Sequence, residues 1–545
     1  MNLETVITHS PALIVAVPLL GAFLTPFIGK ISDKVRNVFV ILTVGLTFFL
    51  VYLLASDVFA NGIRIYVFGG DSSVIVSGES TFAIRILFEV DGMNAFMAII
   101  ASILAIASVI YSWAYMKENT GLDKFYTLIL LLIAGMFGMI LTGDLFNFFV
   151  FLEITSIASC ALIAFWTNKG KSVDAGFKYI VISSIGALFV LFAIGILYSQ
   201  YNALNMAVLA NSIQYTFLDK IALGLLVAGL AMKAGIVPMH MWLPDAYGKA
   251  PSTVTLILIG ATQTSIYGVL RVTFTLYGNQ LTSTLKQIGN TSVTMNWILG
   301  IIIVALALIT IVIGVLMALK QTDFKRMIAF AAVGEIGYIF LAIGSVIISY
   351  GQIIANGNMD LTGPAGMALQ GGIFHIINDA LDIGLLFLVA GAIYYSTKQT
   401  SLNEMGGLAR NMKYTTVFFI IGLLAVAGMP PMNGFASKLL IYQSTYLVNP
   451  IIAIVAIVFS ILLLAVFVKV FHSAFLGPKL QKFKDVKEAP KSMLIAMGVI
   501  TFIIIVFGLF PNLVVENIIQ PAAKAIIDHS SYITTVMGGF YHDIT

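Results

Sequence analysis

Long apolar runs separated by short polar loops dominate the chain, and about 20 apolar residues is what an α-helix needs to cross a bilayer. On that measure the pattern predicts crossings at 11–29, 37–56, 92–115, 123–142, 146–166, 175–198, 219–241, 252–276, 297–319, 326–350, 366–395, 413–448, 450–476 and 491–511. The twelfth is interrupted by proline and glycine. The fold class expected is an all-α polytopic membrane protein of about fourteen transmembrane helices. The long extramembrane piece in the first half, 57–91, holds IRIYVFGG and TFAIRILFEV, which alternate or are β-branched. With Gly and Ser between them, they predict a β-hairpin. After 511 the apolar positions recur at mixed spacing, which predicts a tail lying at the membrane interface.

Composition supports this pattern. Of 545 residues, 59% are hydrophobic and 10% charged, against about 25% charged in a soluble domain. Water could not solvate such a surface, so its solvent is lipid. The net charge of +4 and the lack of a basic run interleaved with aromatics predict no nucleic-acid partner. A single cysteine, Cys160, can neither close an internal disulfide nor supply the ligands of an iron–sulfur cluster. The six histidines show no metal-ligand spacing. No cofactor or metal is therefore expected on this chain, and any redox chemistry belongs to other subunits. The opening MNLETVITHS has no basic stretch before its apolar run and does not read as a cleaved leader.

Most of the 29 lysines and arginines fall in the loops after odd-numbered helices, from Lys30, Lys34 and Arg36 to Lys479, Lys482, Lys484 and Lys487. A few, among them Arg64, Arg85 and Lys220, fall on the other side. The positive-inside rule then predicts a multi-pass protein of the cytoplasmic membrane with both termini outside.

The chain also repeats itself. KAGIVPMH (233–240) and VAGMPPMN (426–433) match at Ala-Gly, Pro and Met, and IGALFVLFAIGILY (185–198) resembles IGLLFLVAGAIY (383–394). Two halves that share a Pro/Gly-interrupted helix are the mark of repeat-built transporters, in which the break opens backbone groups to a polar cavity. Helices 7 and 12 are the expected broken ones.

Buried charge is where chemistry is expected. Lys233 lies mid-span before Pro238, where a lysine costs at least ~2.5–3.5 kcal/mol without a counter-charge or water. Glu153 shares a helical face with Ser156 and Cys160 and is expected to look inward; paired with Lys233, it forms either a proton switch or an ion pair gluing two helices. His375, Asp379 and Asp382 stand at i, i+4 and i+7, one face of a helix, and read as a proton relay, a cation site or a mutually hydrogen-bonded interface. Lys438 follows the second break, as a deep lysine or an interface anchor. His240 lies just beyond Pro238, and Glu335 stands in AFAAVGEIGYIF; for both, path and structural roles stay open. Lys178 reads as a helix-boundary residue, and Lys469 and His472 as snorkelling groups.

At these residues the sequence resembles the proton-translocating antiporter-like family. That family holds the large membrane subunits of complex I, the D-type component of Mrp sodium/proton antiporters, and the matching component of archaeal membrane-bound hydrogenase and sulfane reductase complexes. KAGIVPMHMWLPDAYGKAP (233–251) is similar to the family's lysine-bearing broken seventh helix, and FVFLEITSIASCALIAF (149–165) to its glutamate-bearing fifth. LKQTDFKRMIAFAAVGEIGYI (319–339) resembles the signature before helix ten, and GMPPMNGFASK (428–438) the second broken helix.

The resemblance implies two inverted five-helix repeats, helices 4–8 (123–276) and 9–13 (297–476). They would be flanked by 1–122, with the hairpin, and by 491–545, with helix 14 and the tail. It implies Glu153 and Lys233 as the pair of one half-channel, Lys438 toward the exit of the other, and a midplane row of polar residues carrying H⁺ or Na⁺. It also implies partners: other membrane subunits and peripheral iron–sulfur redox subunits. Two positions depart from the family. Gln263 stands where helix eight usually has a lysine, and Ile383 where helix eleven does, while Asp379 matches the antiporter D-type pattern. Glutamine hydrogen-bonds water yet carries no net proton. A non-conducting structural subunit therefore stays open beside the ion-translocating one, as does a stand-alone secondary transporter.

Overall fold

The computed structural model describes residues 3–68, 86–288, 291–351, 361–478 and 480–541; Arg85 and Lys479, counted for orientation, lie outside these. Six long helices open the chain: α1 (Leu3–Gly29), α2 (Asp33–Asn61), α3 (Gly92–Tyr115), α4 (Leu122–Leu141), α5 (Leu145–Ile163) and α6 (Gly170–Tyr201). A short α7 (Met206–Ser212) precedes a divided segment, α8 (Phe217–Ala234) and α9 (Trp242–Lys249), and α10 (Ser252–Leu270) runs on through a π-helical turn, Arg271–Leu276. The second half holds α11 (Met295–Lys320), α12 (Phe324–Ile348), α13 (Pro364–Thr397), α14 (Lys413–Val426), α15 (Asn433–Val448), α16 (Pro450–Val470) and α17 (Lys491–Leu509). Three short helices close the chain: α18 (Pro511–Val514), α19 (Gln520–Ile527) and α20 (His529–Tyr541).

Among the described residues, thirteen helical segments are long and apolar enough to cross a membrane. The expected twelfth crossing falls short of that length because its break leaves α14 with 14 residues and α15 with 16. Polar side chains fix where helices begin. Asp91 accepts from Met93 N and Asn94 N at the start of α3, Thr216 accepts from Asp219 N before α8, and Asp323 accepts from Arg326 N before α12. Every residue of α10 is buried, as is nearly all of α12 and α13. Around this centre α1, α2, α6, α16 and α17 turn Phe23, Leu42, Phe192, Ile461 and Phe502 outward, a face suited to lipid. Helices α11 and α12 approach at backbone distance: a Cβ on Gly314 would lie 2.4 Å from Gly334 N.

The expected hairpin forms, with β1 (Arg64–Val67) antiparallel to β2 (Leu87–Val90), although the residues between, 69–85, lie outside those described. A second hairpin, β3 (Thr284–Ile288) with β4 (Thr291–Thr294), is additional to the elements expected from the pattern. The tail is tied to the bundle: α19 packs on α3, with Pro521 O against Gly92, and α20 brings Tyr532 onto Glu89 at the hairpin end.

Candidate functional site

Both predicted breaks occur, and they share one local geometry. Gly235 ends α8 in the left-handed region (φ 83°), and Gly428, its counterpart after α14, does the same (φ 69°); glycine alone takes this without a Cβ penalty. Val237–Pro238 and Pro430–Pro431 are cis. The freed backbone groups find partners: Val237 N donates to Thr310 Oγ1 on α11 (3.1 Å), and Trp242 Nε1 donates to Met232 O (3.1 Å).

Lys233, in the last turn of α8, is buried, with its side chain 5% exposed. Its Nζ donates to Ser156 Oγ at 2.5 Å and lies 3.7 Å from Glu153 Oε1. Ser183 on α6 donates to Ser156 in turn (3.0 Å). A cavity of about 20 Å³ beside them, lined by Lys233, Ser156, Ser183, Thr262 and Ser265, has room for one water. Glu153 looks inward only in part. Its side chain is 29% exposed and borders the exposed Phe146, Val150 and Ile157 on the outer face of α5, while its buried Oε1 faces Lys233. Ser156, three residues on and about 60° round the helix, is fully on the bundle side.

Lys438 is held more tightly. Its Nζ donates to Glu335 Oε1 (2.8 Å), and both side chains are 2% exposed. It also donates to Val426 O (2.7 Å), a carbonyl of the last turn of α14 that the break leaves free. Glu335 Oε2 faces His375 Nε2 at 3.0 Å, so one carboxylate serves a lysine and an imidazole. His375 Nδ1 lies 3.0 Å from Ser437 Oγ, and Asn433 Nδ2 donates to Asp382 Oδ1 (3.0 Å) and to Asn378 Oδ1 (3.0 Å). Asp379 accepts from Gln263 Nε2 on α10 at 2.5 Å. Gln263 Oε1 and Asp379 Oδ1, both buried, have no partner among the described residues.

Of the expected site residues, His375, Asp379, Asp382 and Lys438 therefore gather around α13, while Glu153 and Lys233 form a second group. Gln263 sits between the groups. His240 stands apart: in the turn Met239–Met241, its Nδ1 faces Pro238 O at 3.3 Å. Lys178 lies inside α6 and not at its boundary, because the helix already begins at Gly170, and it pairs with Asp174 and Asp245; Lys469 reaches Leu319 O at the surface. Glu335, whose role is open on sequence alone, proves to be the hub of the Lys438 group. Its signal is that it is the lone carboxylate inside a helix of small and apolar residues, which a cation must meet. Ser183, Asn378 and Asn433 give no such signal.

A polytopic bundle with two broken helices, each bringing a lysine to a glutamate, defines a class of antiporter-like membrane subunit. The family model for "NADH:quinone oxidoreductase/Mrp antiporter, TM" matches residues 142–464, and that for "NADH-Ubiquinone oxidoreductase (complex I), chain 5 N-terminus" matches 77–126. The chain belongs to the NADH:quinone oxidoreductase/Mrp antiporter transmembrane family. It is 30% identical to the N-type component of the NADH-quinone oxidoreductase of Desulforudis audaxviator, over 94% of this chain and 98% of that one. It is 30% identical to the D-type component of the Na⁺/H⁺ antiporter of Alkalihalophilus pseudofirmus, over 95% and 97%. Among solved structures it is similar to a chain of the membrane-bound sulfane sulfur reductase, an archaeal respiratory membrane complex, with a TM-score of 0.80, 26% identity and coverage of 96% and 99%.

Proposed function

We propose that this chain is the ion-translocating subunit of a redox-driven respiratory or antiporter-type membrane complex, carrying H⁺, Na⁺ or both. One observation carries the reading: each broken helix sets a buried lysine against a carboxylate, Lys233 on Glu153 and Lys438 on Glu335, and a buried bond from Gln263 on α10 to Asp379 on α13 joins the two halves. Such charges are costly in a membrane and are retained where ions move. Glu335 is the switching element. A proton arriving on His375 draws the carboxylate away from Lys438 and weakens the lysine's hold on its own proton. Gln263 takes no net proton, but its Oε1 can accept from a bound water, and Asp379 Oδ1 beside it can take a proton or a water.

The matching breaks at Gly235 and Gly428 support two repeats, 123–276 and 297–476, in opposite orientation. The lysine-rich loops support a cytoplasmic-membrane location with the hairpin and both termini outside. Glu153, half-buried beside the exposed Phe146, Val150 and Ile157, supports a neighbouring membrane subunit there, because a carboxylate partly open to lipid is unfavourable. Peripheral iron–sulfur subunits would supply the redox drive.

The test is transport by the assembled complex in vesicles. Lys233→Ala and Glu153→Ala should each abolish ion movement while the complex still assembles. Wild-type transport in both variants overturns the reading and favours a structural subunit.

A further inference from the structure

The face of α10 that meets Asp379 does not end at Gln263. Tyr267 and Arg271 follow at i+4 and i+8, all three buried, so a polar line runs toward the hairpin end. There Arg271 Nη1 bonds Asp91 Oδ2 (2.7 Å), Nη2 donates to Asn94 Oδ1 (2.6 Å) and Nε donates to Tyr267 OH (3.2 Å). Glu89, 1% exposed on β2, stands in the same cluster. It accepts from Asn205 Nδ2 (2.5 Å) and from the Tyr532 hydroxyl of α20, whose ring lies 5.4 Å from the Arg271 guanidinium. Asp91 also lines a cavity of about 170 Å³ that opens between α2, α3 and α19, with Lys524 and Asp528 on its wall.

Two carboxylates against one guanidinium leave this buried cluster with a charge of −1, and one proton neutralises it. We infer that Glu89, Asp91 and Arg271 form a proton-holding site at the hairpin end of α10, through which the translocated proton exchanges with the cavity beside Asp91. This rests on the ion-translocating reading given above. Binding is simple protonation of the Glu89 carboxylate, with release by way of Asp91 to the cavity. The site takes H⁺ and not a metal cation: the guanidinium already occupies Asp91, and its charge repels Na⁺. Burial pushes the Glu89 carboxyl up to about 7, against the Tyr532 and Asn205 hydrogen bonds and Arg271, which lower it, while Asp91 raises it. The group therefore gains and loses its proton near neutral pH.

The experiment uses the assembled complex and two readouts, transport against pH and the infrared band of a buried protonated carboxyl. In wild type the band should titrate near pH 7. Glu89→Gln should remove the band, slow transport at least tenfold and flatten the rate–pH profile around neutrality. Tyr532→Phe, which deletes a donor to the carboxylate, should move the titration to higher pH and keeps the test open if Glu89→Gln fails to assemble. If Lys233→Ala is inactive while Glu89→Gln keeps the band and the wild-type profile, or if Tyr532→Phe leaves the titration in place, the inference is overturned and the translocating function stands. If Lys233→Ala transports normally, the function itself fails first.

Discussion

Glu335 faces Lys438 through one oxygen and His375 through the other, with no water-exposed surface to share the charge. Removing one member of a buried ion pair leaves the other uncompensated, at about 3–5 kcal/mol. Glu335→Gln should therefore lower the stability of the complex by about that amount, read as a fall in its thermal midpoint. Glu335→Gln combined with Lys438→Met should recover much of the loss, because neither charge then remains. Ion movement should be absent in both. An equal loss in the single and double variants would show that packing, not charge, accounts for the effect. Lys233 stands differently: it keeps a serine at 2.5 Å and a carboxylate only at 3.7 Å, so Glu153→Gln should cost well under the figure for Glu335→Gln.

Helix breaks are legible in the sequence because proline and glycine act locally: Pro238 and Pro431 cannot continue a helix, and Gly235 and Gly428 supply the turn. The first hairpin is legible for the same kind of reason, alternation with turn residues between. The partial exposure of Glu153 is not, since a helix apolar nearly all round does not say how far its polar strip is turned into the bundle. Nor is the docking of the tail, which depends on Pro521 meeting Gly92 and Tyr532 meeting Glu89, partners more than 400 residues away. The lysine and histidine positions are readable because charge in an apolar run is rare; their partners across the bundle are not, apart from Lys233 with Glu153. The closeness of α11 and α12 yields a test at this scale. Gly314→Val must push against Gly334 N and Phe330 O, so it should destabilise by about 3 kcal/mol, visible as a lower melting temperature or failed assembly. Unchanged melting would mean that the helices separate freely.

For the molecule as a whole, the buried Glu89 ties stability to pH. A carboxyl raised by burial from 4.5 to about 7 binds its proton more strongly in the folded protein than in the unfolded chain. The folded state then holds more protons between those values, and its stability declines as pH rises through 7, by up to about 3 kcal/mol in all. The thermal midpoint should be higher at pH 5.5 than at pH 8 (on the order of these values), and Glu89→Gln should shrink the difference. A higher midpoint at the higher pH would contradict the sign. A last consequence concerns α13, an unbroken helix of 34 residues. Within two turns it reaches Gln263 through Asp379 and Glu335 and Asn433 through His375 and Asp382. A rigid shaft linked to both sides cannot turn for one without turning for the other. On the ion-translocating reading proposed above, this ties the two groups of charges to one moving part, so a turn of α13 made for one is felt by the other.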